Sequence, residues 1–112
     1  MKRIDAMIPN LKRSHVVTAI IKAGAGGVTV AETRGLGSGE RPLVGKSRGT
    51  AMYVAEYNRT DTITTIVEDS QVDAIVKAIM EIVHTGVKSD GKIFVSPIDE
   101  SYDISTGLKG HV

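Results

Sequence analysis

Apolar positions change their spacing along the chain and mark out two similar units. Residues 2–8 read as a strand, and Asn10 stands where it can cap a helix over about 11–23. In that helix Val16, Ala19, Ile20 and Ala23 recur at i, i+3, i+4 and i+7, which gives one apolar face. Gly24 ends it, and 27–32 (Gly-Val-Thr-Val-Ala-Glu) reads as a second strand. The pattern then repeats. Residues 62–68 form a strand, Asp69 or Ser70 serves as a cap, and Val72, Ile75, Val76, Ile79 and Val83 make a second helical stripe. Gly86 follows the helix, and 92–98 is the last strand.

The predicted order is β-α-β-β-α-β, an α+β ferredoxin-like plan in which both helices cover one face of an antiparallel sheet. The segments 63–67 and 93–98 are apolar on both sides rather than alternating. A strand of that kind expects both its faces to be covered, so the second sheet face is expected to pack on other subunits, with a merely greasy sheet face as the alternative. Between the second and third strands, 35–49 is rich in glycine and charge and has no apolar period. Irregular segments of that length inside a compact domain are usually functional, with a disordered insertion as the alternative.

Composition narrows the classes further. A chain of 112 residues is one domain, and Tyr53, Tyr57, Phe94 and Tyr102 are its only aromatic residues, so Val, Ile and Ala must build the core. With 14 basic and 13 acidic residues there is no long-range field to recruit nucleic acid or an anionic membrane. The absence of cysteine excludes disulfides and thiolate metal sites, and no apolar run reaches the ~18 residues of a membrane span. The expectation is a cytoplasmic protein.

The most telling segment is 85–95, Thr-Gly-Val-Lys-Ser-Asp-Gly-Lys-Ile-Phe-Val. Placed between a helix and a strand, a turn of glycine, lysine, serine and aspartate exposes N–H groups and ammonium charge, as an anion-binding loop requires. An ordinary connecting turn is the plain alternative, since Asp-Gly is common in turns. A nearby near-match, Gly45-Lys46-Ser47, lacks the first glycine of a Walker loop, because Glu40 stands there, and an extended segment rather than a helix follows it. His15, His84 and His111 have no metal-ligand spacing and read as surface residues. No serine or threonine is paired with a histidine and carboxylate, and no carboxylate pair suggests acid–base chemistry. Metal ligands and catalytic residues are therefore not assigned, and the chain is not read as an enzyme.

The 85–95 segment resembles the T-G-x-x-G-D-G-K-I-F-V loop of the PII signal-transduction family. Further similarities are Lys2-Arg-Ile-Asp-Ala6, Gly24, Gly27-x-Thr29-Val30-x-Glu32, Gly35-x-Gly37, Arg48-Gly49 and Thr106-Gly107, in order over nearly the full length. The resemblance implies a homotrimer with nucleotide clefts between subunits, a T-loop at about 37–55, a phosphate-binding loop at 85–92 and a C-terminal loop at 99–112. It implies ATP, ADP or AMP as an allosteric ligand held by Thr29, Gly35, Leu36, Gly37, Gly86, Val87, Lys88, Ser89, Asp90, Gly91 and Lys92. Arg59 and Gly39 fall at the family's effector positions, which concern magnesium and 2-oxoglutarate. Arg48, Lys46 and Tyr53 fall on the partner-binding loop. The implied targets are an ammonium transporter, the one route to a membrane, or a nitrogen-assimilation enzyme.

Several positions depart from the family pattern. Gly39 replaces the usual magnesium-binding glutamine, Met52 aligns with the modified tyrosine, and Ser89 stands where glycine is usual. Asp103 and Ser105 occupy the places of two phosphate-binding arginines. Losing two charge-assisted hydrogen bonds would weaken ATP by about 3–6 kcal/mol, roughly 100- to 10,000-fold. AMP and ADP are expected to lose less. Two further readings remain: a trimeric sensor of another small anion or nucleotide, and a small enzyme on the same scaffold.

Overall fold

The computed structural model describes residues 1–35, 43–45, 52–54 and 58–111, with only the backbone at 43–45, 52–54 and 58. Strand β1 (Lys2–Pro9) leads through a 3-10 turn at Asn10–Lys12 into helix α1 (Arg13–Lys22). Strand β2 (Thr29–Gly35) follows, then the short strands β3 (Leu43–Gly45) and β4 (Met52–Val54), which pair with each other. Strand β5 (Asn58–Val67) leads through a 3-10 turn at Asp69–Gln71 into helix α2 (Val72–Val83). Strand β6 (Lys92–Pro97) closes the sheet, and β7 (Ser101–Asp103) pairs with β8 (Leu108–Gly110) as a terminal hairpin. The main sheet is antiparallel, in the order β2-β5-β1-β6. This is the predicted ferredoxin-like β-α-β-β-α-β frame, with two hairpins added.

Both helices lie on one face. Val16 and Ile20 of α1 and Ile75, Ile79 and Val83 of α2 meet Ile4, Ala6, Ile8, Ile63 and Val67 from the sheet. Each of these larger apolar side chains, taken from water, contributes about 1.5–3 kcal/mol. The aliphatic core expected from composition is thus in place. Thr65, also buried, donates its hydroxyl to the Gly27 carbonyl at 2.7 Å, which satisfies it.

The helix caps differ from expectation. Neither Asn10 nor Asp69 nor Ser70 makes a side-chain cap. Each helix instead begins through a 3-10 turn. The N–H of Glu68 donates to the Gln71 side chain at 2.9 Å, and Gln71 in turn donates to the Gly24 carbonyl at 3.0 Å, joining the start of α2 to the end of α1. Asp69 pairs with the N-terminal ammonium of Met1 at 3.0 Å, and that bond lowers its pKa. Gly24 ends α1 with φ 109, as a residue without Cβ can.

The pattern argument for β5 also needs correction. The strand begins at Asn58 and alternates strictly, with Asp61, Ile63, Thr65 and Val67 buried toward the helices. Its pairing puts Thr60, Thr62, Thr64 and Ile66 on the open face, near Thr29 and Thr33 of β2 and Met7 of β1, with Phe94 of β6 beyond β1. That face is mixed, not greasy: the Thr64 hydroxyl donates to Asp5 at 2.6 Å, and Arg3 donates to Asp5 at 2.9 Å. Strand β6 leaves apolar area on both sides, with Phe94 50% and Val95 45% exposed.

Candidate functional site

The turn between α2 and β6 is built around Asp90. After Val83 the chain leaves the helix at His84, passes Gly86 with φ 88, makes a 3-10 turn over Lys88–Asp90, and enters β6 through Gly91 with φ 115. The Asp90 carboxylate accepts the N–H groups of Thr85 at 2.7 Å and Gly86 at 2.9 Å, together with the Thr85 hydroxyl. The Asp90 N–H donates to the Val87 carbonyl at 3.0 Å. The Thr85 hydroxyl, then the Thr85 and Gly86 N–H groups, hold the Asp90 carboxyl below the usual carboxylate range. Asp90 therefore ties the loop to itself, and the N–H groups it takes from Thr85 and Gly86 are spent within the protein.

Gly91 has a related structural reason. A Cβ there would lie 2.0 Å from the Met7 carbonyl oxygen of β1. The close backbone approach that only glycine allows is thus made to the neighbouring strand.

Beneath the loop lies a cavity of about 360 Å³. Ile8, Met80, Val83, Val87 and Ile93 give it an apolar wall, while His84, Lys88, Asp90 and Lys92 give it a charged rim. Gly86 and Gly91 also line it; Ser89, in the turn, does not. A cavity with an apolar floor and two ammonium groups suits a ligand that joins a flat apolar body to an anionic group. His84, read from sequence as a surface residue, is indeed exposed and also lines the cavity. Its only sequence signal was its place one residue past the helical stripe, which brings it to the cavity side of the helix end.

The other expected binding residues lie elsewhere. Thr29 and Gly35 are the ends of β2, and Leu36, Gly37, Gly39, Lys46 and Arg48 lie outside the described residues. Tyr53 is described by its backbone alone, opposite Val44 in the β3–β4 pair. Arg59 sits on β5 directly opposite Arg34, exposed, where the sheet gives way to 36–57. Strands β2 and β6 are the two outer strands of the sheet, with β5 and β1 between them. At about 4.8 Å per strand spacing they stand roughly 14 Å apart. One copy therefore does not bring the Gly86–Lys92 group to the Thr29–Gly35 group.

Asp103 and Ser105 close the terminal hairpin. The Asp103 carboxylate accepts the Ser105 N–H at 2.9 Å and its hydroxyl at 2.7 Å, and Gly107, with φ 72, donates to the Asp103 carbonyl at 2.8 Å. The Ser105 hydroxyl, then its N–H, lowers the Asp103 pKa. Among the described residues the cavity wall includes none from this hairpin. Nor do the described residues group three or more histidines and carboxylates as a metal site requires. No described helix is long and apolar enough to cross a membrane.

The described frame is a ferredoxin-like α+β sheet with a lysine-bearing loop over a half-apolar cavity. Comparison with known proteins makes the assignment specific. The model of the family described as nitrogen regulatory protein P-II matches residues 1–108. The chain is 40% identical over 112 residues to a nitrogen regulatory protein P-II of Azospirillum brasilense, covering 98% of this chain and 96% of that protein. It is 38% identical over 109 residues to that of Microchaete diplosiphon, covering 97% and 96%. With the Rhodospirillum rubrum protein it shares 38% over 112 residues, covering 98% and 96%. The chain belongs to the nitrogen regulatory protein P-II family.

Proposed function

We propose that the chain is a non-enzymatic regulator that binds an adenine nucleotide between copies of itself and controls target proteins through residues 36–57. One observation carries the reading: the half-apolar cavity with Lys88 and Lys92 lies at one outer strand, and Thr29 and Gly35 lie on the other. A closed ring of three copies would set the β2 edge of each against the loop of the next and complete three clefts. Lys88 and Lys92 supply charge to the phosphates, the apolar wall takes the base, and Asp90, on the rim, shapes the loop.

The two arginines usual for the family are replaced by Asp103 and Ser105, which are bonded to each other. ADP and AMP are therefore favoured over ATP, and 2-oxoglutarate with magnesium is a weak effector at best. The targets are an ammonium transporter or a nitrogen-assimilation enzyme, and the compartment is the cytoplasm. Calorimetry with AMP, ADP and ATP, paired with light scattering, tests the reading. A trimer that binds ADP, and loses about 10- to 100-fold in affinity with Lys92→Ala, is expected. A monomer that binds none of the three nucleotides would overturn it. The same locked Asp103–Ser105 turn favours a second reading, a sensor of another small anion. Stabilisation by that anion and not by nucleotide, read as a rise in melting temperature, would select it.

A further inference from the structure

His84 lines the cavity from the end of α2, its backbone N–H still bonded to Met80 at 2.9 Å. Its Nδ1 stands 4.0 Å from the nearer Asp90 oxygen, and its side chain is 73% exposed. That oxygen already accepts the Thr85 and Gly86 N–H groups. At 4.0 Å the imidazole makes no hydrogen bond to it, so the ring is not consumed by Asp90.

Other charged side chains also face this corner. Lys88 and Lys92 on the rim are cations, and so is Lys12, whose ammonium reaches the Ile82 carbonyl at 3.5 Å. Glu81, one turn back on α2 and exposed, is an anion. Asp90 stays ionised, because its three donors favour the carboxylate. Histidine is the side-chain type suited to a charge change near neutral pH, so an imidazole on this wall is a candidate pH-dependent contact for an anion.

We propose that His84 is a further binding residue of this cavity, whose protonation strengthens the hold on the phosphate groups of a nucleoside mono- or diphosphate. The inference rests on the nucleotide reading of the cavity. A bound anion favours the imidazolium, so the gain in affinity is present at low pH and fades as pH rises past neutrality. Because the ring is largely exposed, the coupling is small, about threefold to fivefold.

The test is calorimetric titration with ADP at pH 5.8, 6.5, 7.2 and 8.0 for the wild type, His84→Gln and His84→Lys. Phosphate titrates in the same range, but it does so equally for all three, so the wild-type to variant ratio isolates residue 84. The ratio to His84→Gln is expected to be near one at pH 8.0 and about threefold to fivefold at pH 5.8. Against His84→Lys, the wild type should fall behind as pH rises. A second readout, the NMR titration of the wild-type His84 ring, should move to higher pH when ADP is added. A ratio constant across pH, with a ring titration unmoved by ADP, overturns this inference and leaves nucleotide binding standing. Absence of ADP binding to the wild type at every pH overturns both.

Discussion

Replacing Gly91 by alanine tests whether the loop is shaped by its approach to β1. Gly91 has φ 115 and ψ −165, a region that residues with a Cβ avoid at a cost of about 1–3 kcal/mol. The added Cβ would also lie 2.0 Å from the Met7 carbonyl oxygen, well inside contact distance. Met7 cannot retreat freely, since it is paired with Thr62 on one side and Lys92 on the other. Relief by loosening one or two ladder bonds adds about 0.5–1.5 kcal/mol each, so the total is about 1.5–6 kcal/mol. Gly86→Ala is the control. Its φ of 88 carries a similar backbone penalty, but a Cβ there meets nothing within 4 Å, which leaves about 1–2 kcal/mol. Thermal melts of both variants without nucleotide, at one protein concentration, measure the difference. Each kcal/mol lowers the midpoint by about 4–8 °C in a domain of this size, so Gly91→Ala should melt at least about 2 °C below Gly86→Ala. A Gly91→Ala midpoint equal to or above that of Gly86→Ala would refute the close-approach argument.

Other outcomes follow from the charged and apolar interior. Arg13 lies 3.3 Å from both Glu32 and buried Asp61, which are cross-strand neighbours, and Asp61 Oδ2 has no hydrogen bond of its own. Arg13→Leu should cost about 2 kcal/mol in urea unfolding, less than a fully buried pair because Arg13 is partly exposed. The double variant Arg13→Leu, Asp61→Val should recover most of it, and additive losses would contradict the pairing. Asp90, whose pKa is lowered in the fold by Thr85 and Gly86, contributes stability above the ordinary carboxylate pKa that is lost as pH falls through its folded value. Asp90→Asn should therefore be less stable than wild type at pH 7, with the gap narrowing below about pH 4 in acid melts. Ile79→Ala, at a fully buried site of α2, should cost about 2–5 kcal/mol, measured by denaturant midpoint.

The parts of this molecule legible in sequence are those set by local period. Both helical stripes and the order of the four main strands follow from apolar spacing that each segment carries by itself. The first residues of β5 were missed because Arg59, Thr60 and Asp61 are polar, and only pairing with β2 and β1 makes them strand. Caps failed for a similar reason: Gln71 replaces Asp69 and Ser70 because its longer amide also reaches Gly24, a contact 47 positions away. In the loop, composition pointed to an anion site but could not say which groups face inward. Asp90 turns back to its own backbone, while His84, its ring not hydrogen-bonded to Asp90, is left exposed beside the cavity.

The register between β2 and β5 has a consequence for how this chain can vary. Gly35 and Asn58 face each other across the ladder, so the sheet itself holds together the two ends of the 36–57 segment. The entropy of closing that segment is met by pairing that exists for the sake of the core. Doubling the length of a flexible closed segment adds only about 0.6 kcal/mol. Exchange of 36–57 between relatives, or its lengthening, can therefore proceed at little expense to folding. On the role proposed for 36–57, a new target specificity would come from transplanting one segment while the frame and its cavity stay as they are.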